Sequence, residues 1–425
     1  MTDSLITTDL ATNMALKAFI YNTPFTQTIR SYSDRFAAPS GSRNVSDSIN
    51  IPKPARYISQ GGRGTIDFTF AAQPSVEESV ALTIDSMRTA DLSFDLFTRK
   101  MDVSDFDNQL KNEDMAGLTQ DVEADHLVEV AKVSNVVLAG TSGASFGDAT
   151  TSLAILKENG IPAGDLTMLC NQRIQSSLLA NNYTAFQGDK STDKAYIAGY
   201  IGSTFGGFDW MSSELIPIHS NGTATDGTYS GTTGLTPLGT VTAAPANGAN
   251  TLAIQSIGTD GTITAGSIIQ IAAVNKVNAI TKGSQGIVRT YAVASTVTST
   301  TNAVTLTLTE RFVDGTGTAG SGLVDKSLQN VTALPATSAV VSLVGKVSTN
   351  YRQAIGYCKD TFGGAFTELA KPSNAPSSVS TQKGMTIRAI EDFNYQGDLN
   401  ILRLHSVFGV STFRPEWGVK IWEEI

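Results

Sequence analysis

The side chains best suited to proton or metal chemistry are few and scattered. The 425-residue chain has three histidines, His126, His219 and His405, and two cysteines, Cys170 and Cys358. No HExxH pair is present, and no histidine has a second ligand at zinc spacing. The cysteines lie in different segments without CxxC spacing, which argues against a disulfide or zinc framework and for buried apolar thiols. His126 sits on an apolar stripe at helical spacing with Glu123 and Glu129 within reach, an arrangement able to stabilise an imidazolium; the competing reading is a hydrogen-bonded structural histidine. The run Gly140-Thr141-Ser142-Gly143-Ala144-Ser145-Phe146-Gly147 lacks the Gly-Lys-Ser/Thr ending of a phosphate loop and misses GxSxG at its second glycine, so it reads as a flexible link over 140–150. Asn44, Asn182, Asn221 and Asn330 head Asn-x-Ser/Thr triplets with no secretory signal to make them acceptors. Arg414-Pro415-Glu416, followed by Trp417 and Trp422, reads as a packing cluster at a domain edge. These residues predict no catalytic, cofactor-binding or metal-binding site, and no enzyme.

The elements that position them follow from periodicity. Leu10, Met14 and Ala18 recur at spacings of four in a helix over 10–21, whose narrow stripe and Ser/Pro/Gly/Arg-rich sequel (34–46) predict an arm that needs a partner to order it. From Ile49 the period becomes two: Ile49 and Ile51, then Ile66, Phe68 and Phe70, flank Gln60-Gly61-Gly62-Arg63-Gly64 as a long projecting hairpin. Val80, Leu82 and Ile84, then Leu92, Phe94 and Leu96, predict sheet strands. Asp114 is placed to cap a helix reaching about 138, with Met115, Leu118, Val122, His126, Val130, Val133 and Val137 on one stripe. Its other faces carry Asp121, Glu123, Asp125 and Glu129, read as solvated. Beyond it come a helix over 152–159, a strand over 166–170, a helix over 172–181, a short strand over 215–218, and terminal strands over 385–390 and 399–408.

Composition divides the chain at 222–345. That stretch is dominated by Thr, Gly, Ala, Val and Ser and has no Trp, His, Cys or Met. Alternating runs over 251–257, 268–274, 286–294, 304–308 and 340–344, separated by Gly, Asn, Asp and Ser turns, predict a small β-barrel inserted into an α/β host. Its five basic and five acidic residues cancel, so the net charge of −9 resides in the host. That charge argues against tight phosphate binding, which draws on Lys and Arg displacing counterions. The longest apolar runs, such as 136–139, fall far short of the roughly 20 residues of a membrane helix. Met1-Thr2-Asp3-Ser4 lacks a signal-peptide pattern, which predicts a soluble protein made in a cytoplasm.

The order of arm, hairpin, sheet, long helix, α/β segment, β-insert and return resembles the major coat proteins of tailed phages with the Hong Kong 97 fold. More narrowly, it is similar to the short-tailed Salmonella-phage type, whose members carry an inserted β-barrel. Four stretches carry the likeness: Asn22-Thr23-Pro24 after the first helix; Asp102-Val103-Ser104-Asp105-Phe106 with Gly117-Leu118-Thr119-Gln120-Asp121-Val122-Glu123-Ala124-Asp125; Ile263-Thr264-Ala265-Gly266-Ser267-Ile268-Ile269-Gln270-Ile271, where Ser267 replaces the usual Asp; and Phe408-Gly409-Val410 with Arg414-Pro415-Glu416.

The resemblance implies an α+β fold with an N-terminal arm (1–45), an extended hairpin loop (46–75), a peripheral domain with a spine helix over about 114–138 (76–148 and 373–425), an axial domain (149–221 and 346–372) and an inserted small antiparallel β-barrel (222–345). It implies a major capsid protein that assembles as pentamers and hexamers, hundreds of copies in all, into an icosahedral precursor shell and then an expanded head. Its implied partners are further copies of itself, a scaffolding protein, a portal protein at one vertex, and enclosed double-stranded DNA bound without specificity, with no membrane and no cofactor. Assembly would occur in the bacterial host cytoplasm, ending in the virion. Candidate inter-subunit contacts are Asp9, Arg56 and Arg63 of the arm and hairpin, Lys276 and Lys282 of the insert loop 275–285, and Arg414 and Glu416; the loop 222–239 is a further candidate. Scaffolding recognition in the family favours acidic arm residues, and here Asp9 is the one such group in the arm helix, with Asn13 near where a second carboxylate would fall. A tail tube or fibre protein is the structural alternative. A hydrolase with a carbohydrate-binding insert is the enzymatic one, and would need paired carboxylates in a cleft.

Overall fold

Alternation along the strand Leu399–Thr412 turns Leu402 and Leu404 inward and Arg403 out to solvent, the period-two pattern of a sheet covered on one face. The computed structural model describes residues 8–36, 48–53, 77–95, 115–140, 143–162, 164–182, 204–227, 234–317, 324–372, 376–394 and 399–425. The chain forms two compact units: Met1–Ile51, Val80–Glu129 and Phe362–Ser411 make one; Pro52–Ser79, Val130–Thr361 and Thr412–Ile425 make the other.

In the first unit the strands run in the order Arg30–Ser31, Phe362–Phe366, Leu399–Thr412, Met385–Asn394 and Ser377–Gln382, and Ser86–Asp95 also pairs with the long Leu399 strand. Helix α1 (Thr8–Asn22) buries Ala11, Ala15, Leu16 and Phe19 against Ile387 and Leu404 of this sheet and against Leu118 and Val122. Its alanines let the helix approach closely, and each buried large apolar side chain contributes about 1.5–3 kcal/mol. The arm helix therefore has a core within its own chain, contrary to the expectation that it needs a partner. Helix α2 (Pro24–Thr28) and α3 (Ser33–Phe36) continue it.

Helix α4 is Met115–Leu127. The expected spine over 114–138 is shorter than predicted: a 3₁₀ turn, Val128–Lys132, follows, and Asn135–Leu138 is a strand. Val130, Val133, Val136 and Val137 explain this, because β-branched residues lose rotamer freedom in a helix and pack well in a strand. Residue 114, the expected cap, lies outside the described residues, as do 54–76, including the expected hairpin tip, and 101–113. At the hairpin base Ser48–Pro52 and Ser79–Thr83 form a two-stranded ladder.

The second unit contains a mixed sheet in the order Asn135–Leu138, Gly418–Glu424, Asn350–Cys358, Leu166–Cys170, Phe208–Ser212 and Thr204–Phe205, with His219–Ser220 also on the Asn350 strand. Helices α5 (Phe146–Glu158) and α6 (Gln172–Asn182) cover one face, packing Ala149, Leu156, Ile174 and Leu178 on Met168, Phe208, Val419 and Ile421. The expected link over 140–150 is helical from Phe146 onward, because Asp148 accepts from the Ser145 amide (2.8 Å) and hydroxyl (2.9 Å), a capping arrangement; residues 141 and 142 lie outside the described residues. Residues 215–218 are not a strand; the strands nearest are Phe208–Ser212 and His219–Ser220. The terminal strand Gly418–Glu424 pairs with Asn350–Cys358, and Phe362–Phe366 lies in the other unit's sheet. The expected grouping of 373–425 with the spine, and of 346–372 with 149–221, is corrected at both ends.

The stretch 222–345 forms a six-stranded antiparallel sheet in the order Ser284–Ala292, Ile268–Val277, Val340–Val344, Leu235–Val241, Thr251–Gln255 and Ala303–Thr307. Its two outer strands meet where Ala294 N–H donates to the Thr307 carbonyl (2.8 Å) and Thr309 N–H to the Ala292 carbonyl (3.0 Å). Leu238, Ile254, Ile269, Ile271, Tyr291, Leu306 and Val341 fill its interior. Outside that interior, Ile268, Ala292 and Val344 cover Tyr351 and Trp422 of the mixed sheet.

Candidate functional site

Of the spine carboxylates Asp121 is exposed, as expected of a solvated face, whereas Glu123 and Asp125 are fasteners. Glu123 is buried and accepts from the Phe25 amide (2.6 Å), the Thr26 amide (3.2 Å) and the Thr26 hydroxyl (2.7 Å). It satisfies the free N–H groups at the start of α2, although burial itself pushes its carboxyl above the ordinary range. Asp125 forms a two-pronged pair with Arg88 (2.7 and 2.8 Å). Glu129 is also buried. His126 stacks near Phe408 (4.9 Å) and Phe366 (5.8 Å), and its Nδ1–H donates to the Val122 carbonyl (2.6 Å). Burial pulls it down to about 4, so of the two readings the hydrogen-bonded structural histidine holds, with a neutral ring: the Glu123 carboxylate is spent on α2.

Where the chain enters and leaves the 222–345 stretch, Asn221 donates to the carbonyls of Val344 (3.1 Å) and Lys346 (3.0 Å) and accepts from His219 Nε2 (2.9 Å). His219 stacks on Trp422 (4.6 Å) and is held near 4 by burial and by Lys420. Lys420 is fully buried, and its Nζ donates to the Gly266 (3.0 Å) and Ala131 (3.3 Å) carbonyls. Burial lowers it to about 7.

Charge is concentrated at one further place in the second unit, a cavity of about 150 Å³. Lys53, Arg289, Arg311 and Arg414 line it against Glu78, Glu310 and Glu416. Arg289 is buried, with Nη2 on Glu310 and Nη1 donating to the Asn330 carbonyl (3.2 Å). Burial opposes its charge, but Glu310 beside it holds the guanidinium protonated above its ordinary value. Lys53 pairs with Glu78 at 3.4 Å. The Arg414 guanidinium lies 4.2 Å from the centre of the Trp417 ring, a cation–π contact, and 3.7 Å from Glu416.

The sequence candidates separate accordingly. Arg414 and Glu416 come together at the cavity. Lys276 is buried beside it, 3.5 Å from Glu158, and desolvation lowers it to about 8 against that carboxylate. Lys282 Nζ is turned onto the carbonyls of Ser327 (2.6 Å) and Gln329 (3.2 Å). Asp9 is exposed on α1; Arg56 and Arg63 lie outside the described residues. Arg289 and Glu310 were missed. The signal for Arg289 was its parity with the core residue Tyr291 in an alternating strand, which put a charge on the inner face. Both cysteines are buried and free, with Cys170 pushed up to about 12 by burial. Among the described residues no group of three or more His, Cys, Asp or Glu is placed to hold a metal ion, and no helix is long and apolar enough to cross a membrane.

The sequence pattern of the family described as P22 coat protein, gene protein 5, matches residues 4–422. The chain belongs to the P22 coat protein family. It is a major capsid protein, a structural protein of the phage virion that forms the icosahedral head. Among solved structures, the chain is similar to one from Mycobacterium phage Che8 (10% identity, 94% of this chain and 90% of that one, TM-score 0.42). It is also similar to the capsid of cyanophage P-SCSP1u (11%, 94% and 88%, 0.43) and to that of Ralstonia phage GP4 (9%, 94% and 88%, 0.42). Comparison with curated proteins finds no match.

Proposed function

We propose that this P22-type coat protein is a non-enzymatic shell subunit with a Hong Kong 97-like fold, in which the first unit serves as peripheral domain, the mixed sheet with α5 and α6 as axial domain, and 222–345 as an inserted β-barrel. The observation that carries the reading is the family match over residues 4–422. The bonds joining the outer strands at Ala294 and Thr309 support barrel closure, because a closed sheet leaves no edge to pair with another chain. In this reading copies assemble with scaffolding protein and a portal in the bacterial cytoplasm, and the precursor shell expands around double-stranded DNA held without specific contacts. Asp9, Arg56, Arg63 and the loop 222–239 are its candidate contacts between copies. Lys276 and Lys282 act first within the chain, bracing the 275–285 loop.

Electron microscopy of the expressed protein, with and without its scaffolding protein, tests the reading. Closed shells of uniform size are expected. Tubes or fibres would overturn it.

A further inference from the structure

We infer that the charged cavity beside Arg289 receives a carboxylate side chain from a second copy of this chain in the shell. The inference rests on the shell-forming reading, which supplies the second copy. The cavity has room, about 150 Å³, for the end of one acidic side chain. Its wall holds unmet donors: Arg289 Nε and the Thr309 hydroxyl are buried without a hydrogen-bond partner among the described residues, a condition that costs free energy unless an incoming group relieves it. Glu310 Oε1 is also unmet, but its carboxylate already has Arg289 as counterion.

The charge count decides the sign of the ligand. Four cationic side chains face three carboxylates. Glu78 and Glu310 are held in ion pairs with Lys53 and Arg289, whereas Arg311, exposed at the lining, has no ion pair among the described residues. A guanidinium left over beside a buried one favours a planar anion, which it grips through two parallel N–H groups. A chain with 39 acidic against 30 basic residues offers more carboxylates than cations for such a contact. Such a contact fixes register between copies more than it adds raw affinity.

Assembly of the full chain is compared for wild type, Arg311→Gln and Arg311→Glu. Because Arg311 is exposed, all three are expected to melt alike as monomers. Shell yield is expected to fall about ten-fold for the charge reversal and less for the neutral variant. Equal yields for the three would overturn the inference. A second arm uses shells of Arg311→Lys built from equal parts ¹⁴N- and ¹⁵N-labelled protein and treated with a carbodiimide. The expected product is an amide cross-link from position 311 to an Asp or Glu of a differently labelled copy. Cross-links confined to one copy, or none at 311, would count against it. If wild-type protein forms no shells, the shell reading itself fails.

Discussion

Among the described residues, Lys420 is one whose charge is strongly coupled to folding. Its ammonium is sealed from water, answered by the Gly266 and Ala131 carbonyls and, among the described residues, by no carboxylate, so the folded chain releases the proton near pH 7 where an exposed lysine holds it to 10.5. Between those values the unfolded chain binds the extra proton, so stability rises with pH across the window, by at most about 1.4 kcal/mol per unit for one group. Lys276, lowered to about 8, adds the same sign only above that. Urea midpoints of wild type are therefore expected to climb from pH 7 to pH 8, and Lys420→Met should flatten that segment and leave only the Lys276 share of the rise above pH 8. An unchanged slope in the variant would show that Lys420 keeps its proton. His126 and His219, both near 4, act at the acid end, where their stabilising neutrality is lost as pH falls from 6.5 towards 4.

At the scale of elements, the 222–345 sheet and the mixed sheet share a cover: Ile268, Ala292 and Val344 shield Tyr351 and Trp422. Deleting 222–345 and closing the gap should uncover those aromatics and make the remaining protein aggregate or assemble aberrantly, as read by light scattering and microscopy. A monodisperse, assembly-competent product would mean the insert is dispensable. This dependence was only half legible in the sequence. Ile268–Val277 and Val340–Val344 announced themselves by alternation between Gly and Asn turns, whereas Leu235–Val241 was hidden by Pro237 and Gly239, which fall at its register shift. The end of α4 at Leu127 was hidden because Val130, Val133 and Val137 fit a helical stripe and a strand alike. Glu123 looked like one acid on a wet face, since its partners Phe25 and Thr26 lie about a hundred residues away and offer only backbone N–H and a hydroxyl. The pairing of Arg289 with Glu310 was equally invisible: spacing carries no mark of a contact made through a sheet.

For the whole molecule the governing quantity is charge. The chain carries −9, and the 222–345 stretch contributes nothing to it, its five basic and five acidic residues cancelling. Several of the cations that remain are spent internally: Arg88 on Asp125, Arg403 on Asp91, Lys346 on Glu424, Lys53 on Glu78. With carboxylates outnumbering cations, such a chain is poorly placed to exchange its cations for the counterions condensed on a duplex, and that exchange is what drives sequence-independent DNA binding. If the shell encloses DNA, as proposed, it gains from this, because each tight phosphate contact would resist DNA movement along the wall. The expected result is that soluble subunits show no saturable binding to duplex DNA up to about 100 µM at physiological salt, the weak end of ordinary non-specific affinity, by fluorescence anisotropy. Lowering salt tenfold should change little, since few counterions are released. Binding in the micromolar range with a steep salt slope would instead require a basic track along the subunit, and the inner wall would then have to be treated as a DNA-ordering surface rather than a passive one.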